Sequence, residues 1–465
     1  MFPLSHTEKL TDIQNQLNKM MKIQFLFSLL LVITTASAKS NDGWKSLFKG
    51  KDLKGWHQLN GQAKFQVENG EIVGTTVANT PNSFLATDKN YGDFILELDL
   101  LVDNDMNSGI QFRSISSPEI MNGRVHGYQC EVDPSTRAWS GGIYDEARRG
   151  WLYTGELNPS GKLAFKANQW NHYRIECVGN SIRTWLNGVP VAYLFDKLTH
   201  SGFIALQVHA IESKDQEGKQ IRWKNIRIKT TNLKATETPD VFVVNLLPNI
   251  LSKAEKQQGW KLLFDGKTTR GWKAVGKEEF PEQGWVVEDG TFRSVASPES
   301  EPIKGSDIVS DEKFSAFEFQ FEFNFAEGAN SGVKYFTGNG GPSIGLEYQV
   351  LDDKNHPDAK MGINGNRTLA SLYDLIPANK QERFVKPYGE WNIGRIVVYP
   401  DNRVEHWLNG MKVLEYVRGS DSFKTLVSGS KFKGYANFGM VNEAPILLQY
   451  HFDQVKFRSL KIKKL

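Results

Sequence analysis

Short runs in which apolar and polar residues alternate recur along almost the whole chain. In residues 94–100 and 317–325, for example, every second side chain is apolar. Such alternation is typical of β-strands with one buried face. Asn-Gly, Asp-Gly and Gly-Asn pairs separate the runs, as at Asn187-Gly188, and these pairs favour tight turns. Long amphipathic helical patterns are missing from the sequence, so it predicts an all-β protein, a sandwich or jelly roll.

Two neighbouring predicted strands carry an unusual polar face. Alternation places amides, carboxylates and one guanidinium on the same side of these strands, opposite the apolar residues. The residues are Gln111, Arg113, Gln129, Glu131 and Asp133. A polar, charged groove of this kind suits a sugar. The alternative is an ordinary solvated outer face.

The sequence contains two copies of one unit. Residues 43–56 return as residues 259–272, an offset of 216 between the first positions. Further matches follow in the same order, namely Val67–Gly70 with Val287–Gly290, Asn107–Gly109 with Asn330–Gly332, Trp170–Asn171 with Trp391–Asn392, and Trp185–Gly188 with Trp407–Gly410. Two domains are therefore predicted, at residues 39–230 and 257–465, with a linker at residues 231–256. Each domain is long enough to bury its own core.

The linker carries one short predicted helix. Ser252 is placed to cap its start and Gly259 to end it. Residues 230–239 before it have the composition of a surface connection.

The last core strand of each copy carries the same Gln-x-His pattern. Gln207 and His209 share a face in the first copy, and Gln449 and His451 share one in the second. A single histidine on a strand is usually structural. Because the pattern recurs at the same place in both copies, a functional role and a structural role have equal support here. Between the polar strands and these last strands, the loop at residues 144–151 adds Tyr144, Arg148 and Arg149 as candidate binding groups. A solvated charge cluster is the alternative interpretation of this loop.

The polar face differs between the two copies. Glu347 stands where the first copy has Gln129, and Gln349 stands where it has Glu131. Lys334 replaces Gln111, and Phe336 replaces Arg113. The second copy thus keeps a carboxylate, a basic group and an amide, in a different order.

Composition and the lack of standard motifs exclude several kinds of partner and active site. The chain has 56 basic and 53 acidic residues, a net charge of +3, which gives no electrostatic reason to expect nucleic acid or an anionic membrane as a partner. No P-loop, nucleophile elbow, H-E-x-x-H or paired C-x-x-C motif is found in the sequence. Its two cysteines, Cys130 and Cys177, fit buried strand positions and are predicted to be free thiols, with a disulfide as the alternative.

The first 38 residues are predicted not to belong to the fold. Lys22, an apolar run at residues 23–33 and Ala36-Ser37-Ala38 form the pattern of a secretory signal. The run is too short for a comfortable membrane span. We therefore expect the protein to be exported, to the periplasm or beyond the cell, with a mature chain that begins at Lys39.

Several of these motifs together resemble a known family. The opening Gly-Trp-x-x-Leu-Phe-x-Gly-Lys-x-x-x-Gly-Trp, the Asn-Ser-Gly-Ile-x-Phe-Arg run, Gly-Tyr-Gln-x-Glu-x-Asp, Trp-Leu-Asn-Gly and Leu-Gln-x-His are similar to those of the secreted bacterial 3-keto-disaccharide hydrolase domain. The resemblance covers residues 42–229 and 258–463. It implies two tandem concanavalin-A-like jelly rolls and the cleavage of a glycoside or oligosaccharide whose sugar has been oxidised at C3.

The implied chemistry needs a base near C2, a cation or donor for an enolate oxygen, and an acid for the leaving group. Glu131 or His209 is the candidate base, Arg113 the electrostatic partner, and Asp133 or Tyr144 the orienting group or acid. A divalent metal ion held by Glu131, Asp133 and His209 is an alternative to the arginine.

Two other functions stay open at this point. A conventional glycosidase would use two carboxylates, such as Glu131 and Asp133, on either side of the bond. A carbohydrate-binding module would use the same fold without catalysis. In the second copy, Glu347, Lys334 and His451 are the candidate reactive groups, with Gln349 and Gln449 as binding groups.

Overall fold

The structure is a computed structural model of the chain, and it describes residues 42–103, 106–237, 241–297 and 303–465. The predicted signal segment lies outside these residues. The all-β prediction is confirmed, because strands dominate each copy and the helices are short. Among the described residues, no helix is both long and apolar enough to cross a lipid bilayer.

The first copy is a sandwich of two mainly antiparallel sheets. Its strands are β1 (Trp44–Ser46), β2 (Trp56–Leu59), β3 (Lys64–Glu68), β4 (Glu71–Thr75), β5 (Ser83–Thr87), β6 (Phe94–Val102), β7 (Ser108–Ile115), β8 (His126–Val132), β9 (Ile143–Glu146), β10 (Gly150–Tyr153), β11 (Asn171–Val178), β12 (Ser181–Leu186), β13 (Val189–Phe195), β14 (Phe203–Val208) and β15 (Gln220–Lys229), followed by β16 (Val244–Asn245) in the linker. The back sheet has the order β16-β13-β12-β11-β6-β15-β4-β3. The front sheet has the order β10-β9-β8-β7-β14-β5-β2.

The second copy repeats this arrangement with a shorter front sheet. Its strands are β17 (Lys261–Leu262), β18 (Trp272–Ala274), β19 (Trp285–Glu288), β20 (Thr291–Ser294), β21 (Ile308–Phe314), β22 (Phe317–Phe325), β23 (Asn330–Tyr335), β24 (Leu346–Leu351), β25 (Asn392–Val398), β26 (Arg403–Leu408), β27 (Met411–Val417), β28 (Ala444–Leu448) and β29 (Val455–Lys464). The back sheet runs β19-β20-β29-β22-β25-β26-β27 and the front sheet β18-β21-β28-β23-β24. In place of a strand beside β24, a loop hydrogen-bonds to it through Ala370, Ser371 and Tyr373.

In the part of the chain that the structure describes, three α-helices connect strands, namely Pro159–Lys162, Lys253–Gln257 and Asp421–Ser428. Single 3-10 turns occur at Met121–Gly123, Gly155–Leu157, Lys214–Gln216, Pro357–Lys360 and Glu382–Phe384. The predicted linker helix is confirmed, since the Ser252 side chain accepts from the Glu255 amide and the Glu255 carboxylate accepts from the Ser252 amide. This reciprocal cap satisfies two otherwise unpaired donors at the helix start.

Each copy has one apolar core between its two sheets. In the second copy, Phe319, Phe321 and Phe323 of β22 all point into the core, as the alternation predicts. Each buried phenylalanine contributes roughly 1.5–3 kcal/mol. In the first copy, Cys130 and Cys177 lie in the core as free thiols, which confirms the prediction made for them.

Candidate functional site

The front sheet of the first copy brings the predicted polar residues together by register. Directly opposite residues of an antiparallel pair share a face. Gln111 lies opposite Gln129, and Gln129 lies opposite Tyr144. In the next row, Gly109 lies between Glu131 on one side and Gln207 on the other. One face therefore presents these amides, the tyrosine and the carboxylate.

A chain of hydrogen bonds runs along this face to Glu131. The Ser114 hydroxyl donates to Gln111 at 2.7 Å, and the Gln111 amide donates to Gln129 at 2.6 Å. Gln129 then donates to Glu131 Oε2 at 3.1 Å. The Asn107 amide donates to the other carboxylate oxygen, Oε1, at 2.6 Å. Each amide is thereby fixed in one orientation, and all bonds point toward the carboxylate.

Glu131 is buried, with 4% of its surface exposed. Loss of hydration raises the pKa of its carboxyl from 4.5 to about 7, although hydrogen bonds from Asn107 and Gln129 and the charge of Arg137 oppose the rise. A carboxyl with this pKa is present in both protonation states near neutral pH. That is the range in which a general base works best.

Arg137 is the cation of this site, and the sequence pattern did not reveal it. Its guanidinium lies 3.8 Å from Glu131 Oε1 and is centred 4.7 Å from the Trp139 ring. Arg137 follows β8 in a turn, so its side chain folds back onto the sheet. The run of Asp133, Ser135 and Arg137 at alternate positions was the available signal.

The prediction that Arg113 shares this face is wrong. The ladder between β7 and β8 has an irregularity between Phe112 and Ile115, and Arg113 takes a φ of +45° there. A bulge shifts the side chain to the other face. Its guanidinium donates to the carbonyls of Gly92 and Gly179 at 2.9 and 3.0 Å and pairs with Asp93. Arg113 therefore ties the two sheets together.

Asp133 and His209 do not complete the site in the predicted way. Asp133 Oδ1 accepts from Ser135, and Oδ2 accepts from Arg137 at 2.7 Å and from the Trp139 amide, so both oxygens hold the local turn. His209 is exposed, and its Nδ1 bonds the Ala210 carbonyl at 2.7 Å. Within the described part of the chain, no three His, Cys, Asp or Glu side chains gather as metal ligands do. The suggested metal set of Glu131, Asp133 and His209 is not assembled.

The loop arginines are also placed differently from the prediction. Arg148 pairs with Asp145 at 2.6 Å, and Arg149 pairs with the other oxygen of the same carboxylate at 2.5 Å. Arg149 also pairs with Asp196. Asp145 follows Tyr144 in β9 and therefore points to the opposite face. The two arginines form an internal ion-pair network and do not line the polar face.

The glutamine of each Gln-x-His pattern is unusual because it has at least one buried polar atom without a hydrogen-bond partner. Neither Gln207 Nε2 nor Gln207 Oε1 has a hydrogen-bond partner, and Gln449 Oε1 has none either. Gln207 is fully buried on the polar face, beside Gly109. Unpaired buried amides are costly, and a bound polar ligand would relieve the cost.

In the second copy, the predicted residues line one pocket of about 340 Å³. They are Lys334, Glu347, Gln349, Gln449 and His451. Lys334 Nζ lies 3.7 Å from Glu347 Oε2. Rotating the Gln349 amide by half a turn lets its nitrogen donate to Glu347 Oε1 at 3.3 Å. The pocket thus surrounds a carboxylate with an ammonium, an amide and an imidazole.

Glu347 resembles Glu131 in its electrostatics. Burial raises the pKa of its carboxyl, and the charges of Lys334, Lys431 and His451 oppose the rise. Lys431 lies in the same pocket, and burial lowers the pKa of its ammonium. A partly desolvated lysine is a strong hydrogen-bond donor for an anionic oxygen.

Tyr373 and Lys431 are site residues that sequence reasoning missed. The Tyr373 amide donates to the Glu347 carbonyl at 3.0 Å. Gln129 and Glu347 are equivalent positions in the two copies. Tyr373 therefore lies beside Glu347 as Tyr144 lies beside Gln129. Lys431 Nζ lies 4.0 Å from the centre of the Tyr373 ring. Both residues come from segments outside the matched motifs, which is why the repeat gave no signal for them.

A sequence profile of the 3-keto-alpha-glucoside-1,2-lyase-like domain matches residues 43–229 and matches again at residues 259–463. The chain belongs to this family. The resemblance inferred from the motifs is therefore confirmed, as is the presence of two copies.

Three similar proteins each match a part of the chain about as long as one copy. A protein of Bacteroides thetaiotaomicron named 3-keto-disaccharide hydrolase is 38% identical over 232 residues, which are 44% of this chain and 79% of the relative. A crystal structure of a candidate glycosyl hydrolase from Parabacteroides distasonis is 30% identical, with a TM-score of 0.41, and the match covers 47% of this chain and 99% of that one. A second from the same organism is 26% identical, with a TM-score of 0.35 and coverages of 44% and 99%.

Proposed function

We propose that both copies cleave 3-keto-glycosides, each with its own buried carboxylate as the base. The observation that carries the proposal is the recurrence of Glu131 and Glu347, two carboxyls of raised pKa, on the same face of the two front sheets. Family membership and the name of the Bacteroides relative support a sugar substrate with a C3 ketone.

The reaction has three steps. The base takes the proton from C2, and the electron pair of that bond moves onto the C3 oxygen as an enolate. The enolate then collapses, the bond from C1 to the leaving oxygen breaks, and a C1=C2 double bond forms next to the ketone. Water adds to C1 and a proton returns to C2, so the net result is hydrolysis.

The residues divide these tasks in similar ways in the two copies. Arg137 in the first copy and Lys431 in the second offer the positive charge for the enolate oxygen. Tyr144 is the acid for the leaving oxygen in the first copy. In the second copy we assign that role to His451, because the Tyr373 hydroxyl already donates to Asp358 at 2.8 Å.

The paired-carboxylate mechanism has less support. Both oxygens of Asp133 are used by the local turn, and the second copy has Gln349 where the first has Glu131. A ketone-dependent mechanism needs only one carboxylate in each copy.

The test uses the full chain, a 3-keto-disaccharide and the same disaccharide without the ketone. We expect cleavage of the oxidised sugar only, because the C2 proton of the plain sugar is too weakly acidic for a side chain to remove. Glu131→Gln and Glu347→Gln should each remove one share of the turnover, and the double variant should lose roughly 10²-fold or more, the scale for losing a general base. Gln349→Ala should have a milder effect.

Two results would contradict the proposal. Equal turnover of both sugars would point to a conventional glycosidase. Unchanged turnover in the double variant would mean that the two carboxylates are scaffold.

A further inference from the structure

A second cavity lies between the two copies. Its volume is about 380 Å³. One wall is the outer face of the second copy's back sheet, and the other is formed by β10 and the linker of the first copy. Gly389 and Glu390, both exposed, stand at its edge.

Aromatic side chains form much of the wall. Trp151, Phe242, Trp391 and Trp407 all line the cavity, and all four are only partly buried. The Arg458 guanidinium is centred 3.8 Å from the Trp391 ring, which helps to hold the ring in place. Guanidinium groups also lie 4.6 Å from the Phe242 and Trp407 rings and 5.0 Å from the Trp151 ring. The parts of the four rings that stay exposed are suited to a ligand with an apolar face.

Two buried oxygen acceptors in the same cavity have no partner. Gln320 Oε1 and Glu322 Oε1 make no hydrogen bond. The two residues are only 5% and 4% exposed, so bulk water does not replace the missing donors. Both side chains point outward from β22 and line the cavity. The nearby arginines are already paired, Arg458 with Glu322 at 2.7 Å and Arg395 with Glu318 at 2.6 Å. Neither arginine donates to the two unpaired oxygens.

The first copy shows that this is not a general feature of the sheet. Glu97 and Asp99 occupy the places of Gln320 and Glu322, because the matched Asn171 and Asn392 lie opposite Leu100 and Phe323 in the two ladders. Arg227 donates to Glu97 at 2.8 Å, and the His172 ring bonds Asp99 at 2.7 Å. In the second copy, Ile393 stands opposite Glu322 where His172 stands opposite Asp99. A donor has thus been replaced by an apolar wall where the cavity lies.

We infer that the cavity between the copies is a second, non-catalytic binding site for a neutral sugar of one or two rings. The apolar face of the sugar ring packs on the tryptophans, and its hydroxyl groups donate to Gln320 and Glu322. An unpaired buried acceptor destabilises the folded chain, and the hydroxyl groups recover that loss when they donate to it. This site does not rest on the catalytic proposal, because none of the residues assigned to catalysis lines the cavity. The two regions are neighbours, since the Trp151 ring in the cavity wall lies 5.2 Å from the Tyr144 ring.

The test is calorimetric titration of the full chain with methyl α-D-glucoside and with maltose. Trp391→Ala and Gln320→Leu should each weaken one binding event about tenfold, as the loss of one stacking or hydrogen-bond contact implies. Turnover of a 3-keto-glycoside should stay unchanged. The matched control is Trp170→Ala, because Trp170 is the counterpart in the first copy and has Lys224 Nζ 3.7 Å from its ring.

The inference is overturned if both variants bind the two sugars as the unaltered chain does. It is also overturned if the cavity takes an aromatic carboxylate such as 3-phenylpropionate and neither sugar. Using two variants guards against a folding defect in one, because Gln320→Leu leaves every aromatic ring in place.

Discussion

The raised pKa of Glu131, which the proposed base requires, comes at a cost in stability. The carboxyl is buried, and its hydrogen bonds from Asn107 and Gln129 do not offset the lost hydration, so its pKa rises to about 7. In the unfolded chain the pKa returns to its ordinary value near 4.5. Between these two values the folded state holds a proton that the unfolded state has released. Stability therefore falls as the pH rises through this window.

Glu131→Gln should remove this pH dependence. Gln cannot ionise, so the variant should be more stable than the unaltered chain at pH 8, by roughly 1–3 kcal/mol, and similar to it near pH 4.5. Urea denaturation at the two pH values measures the difference. The exposed Glu282→Gln controls for the loss of one charge. An equal effect of Glu131→Gln at both pH values would contradict the proposed burial of the charge.

At the scale of elements, both sites are built on a hairpin whose first strand carries Asn-Ser-Gly. A Cβ atom on Gly109 would collide with the Gln129 side chain, and a Cβ on Gly332 would collide with the Glu347 carboxylate. The glycine in each copy leaves room for a long polar side chain on the neighbouring strand. Steric crowding therefore explains why the repeated Asn-Ser-Gly motif ends in glycine.

Gly332→Ala should displace Glu347 and lower the second copy's share of turnover. We expect a loss of at least tenfold when the variant is made in a Glu131→Gln chain, in which the proposal leaves only the second copy active. Gly434→Ala is the control, because a Cβ there meets open space. Full turnover in Gly332→Ala would show that the carboxylate position is not critical.

The hairpins also show where sequence reasoning succeeds and fails. Alternation correctly placed Gln111, Gln129 and Glu131 on one face, because a regular ladder keeps a period of two. It failed at Arg113, because one bulge inverts every later side chain. Phe336 has a φ of +51° at the equivalent place, so both copies share the irregularity. A positive φ at arginine or phenylalanine has no signature in the sequence.

Loops outside the repeat were equally beyond sequence reasoning. Arg137, Tyr373 and Lys431 reach their sites from turns and long connections, and contacts of that kind depend on the folded path of the chain. The repeat itself, the fold class and the linker helix could be predicted, because periodicity and capping are local properties.

At the scale of the whole molecule, the linker joins the back sheets of the two copies through a buried ion pair and hydrogen bonds. Asn245, in the back sheet of the first copy, donates to Glu255 at 2.7 Å. Glu255 in turn pairs at 2.5 Å with Lys461 in the back sheet of the second copy, and both side chains are at most 3% exposed. Asn249 and Ser459 exchange two hydrogen bonds beside them.

Lys461→Met should therefore be strongly destabilising. Although burial opposes its ionisation, the charge of Lys461 and the hydrogen bonds from Lys461 and Ser252 lower the pKa of Glu255, so the carboxylate is charged in the folded chain. Removing the lysine leaves that buried charge unpaired, at a cost of about 3–5 kcal/mol.

Urea denaturation at neutral and acidic pH tests this expectation. The deficit should shrink as the pH falls, because protonation of Glu255 removes the unpaired charge. Lys464→Met is the matched control on the same strand, since Lys464 is 68% exposed in its pair with Glu312 and such a pair contributes about 0–1 kcal/mol. If the two lysine variants were equally stable, the buried pair would not be what joins the copies. If Lys461→Met also weakened maltose binding while turnover was retained, the cavity and the linker would be shown to depend on the same contact.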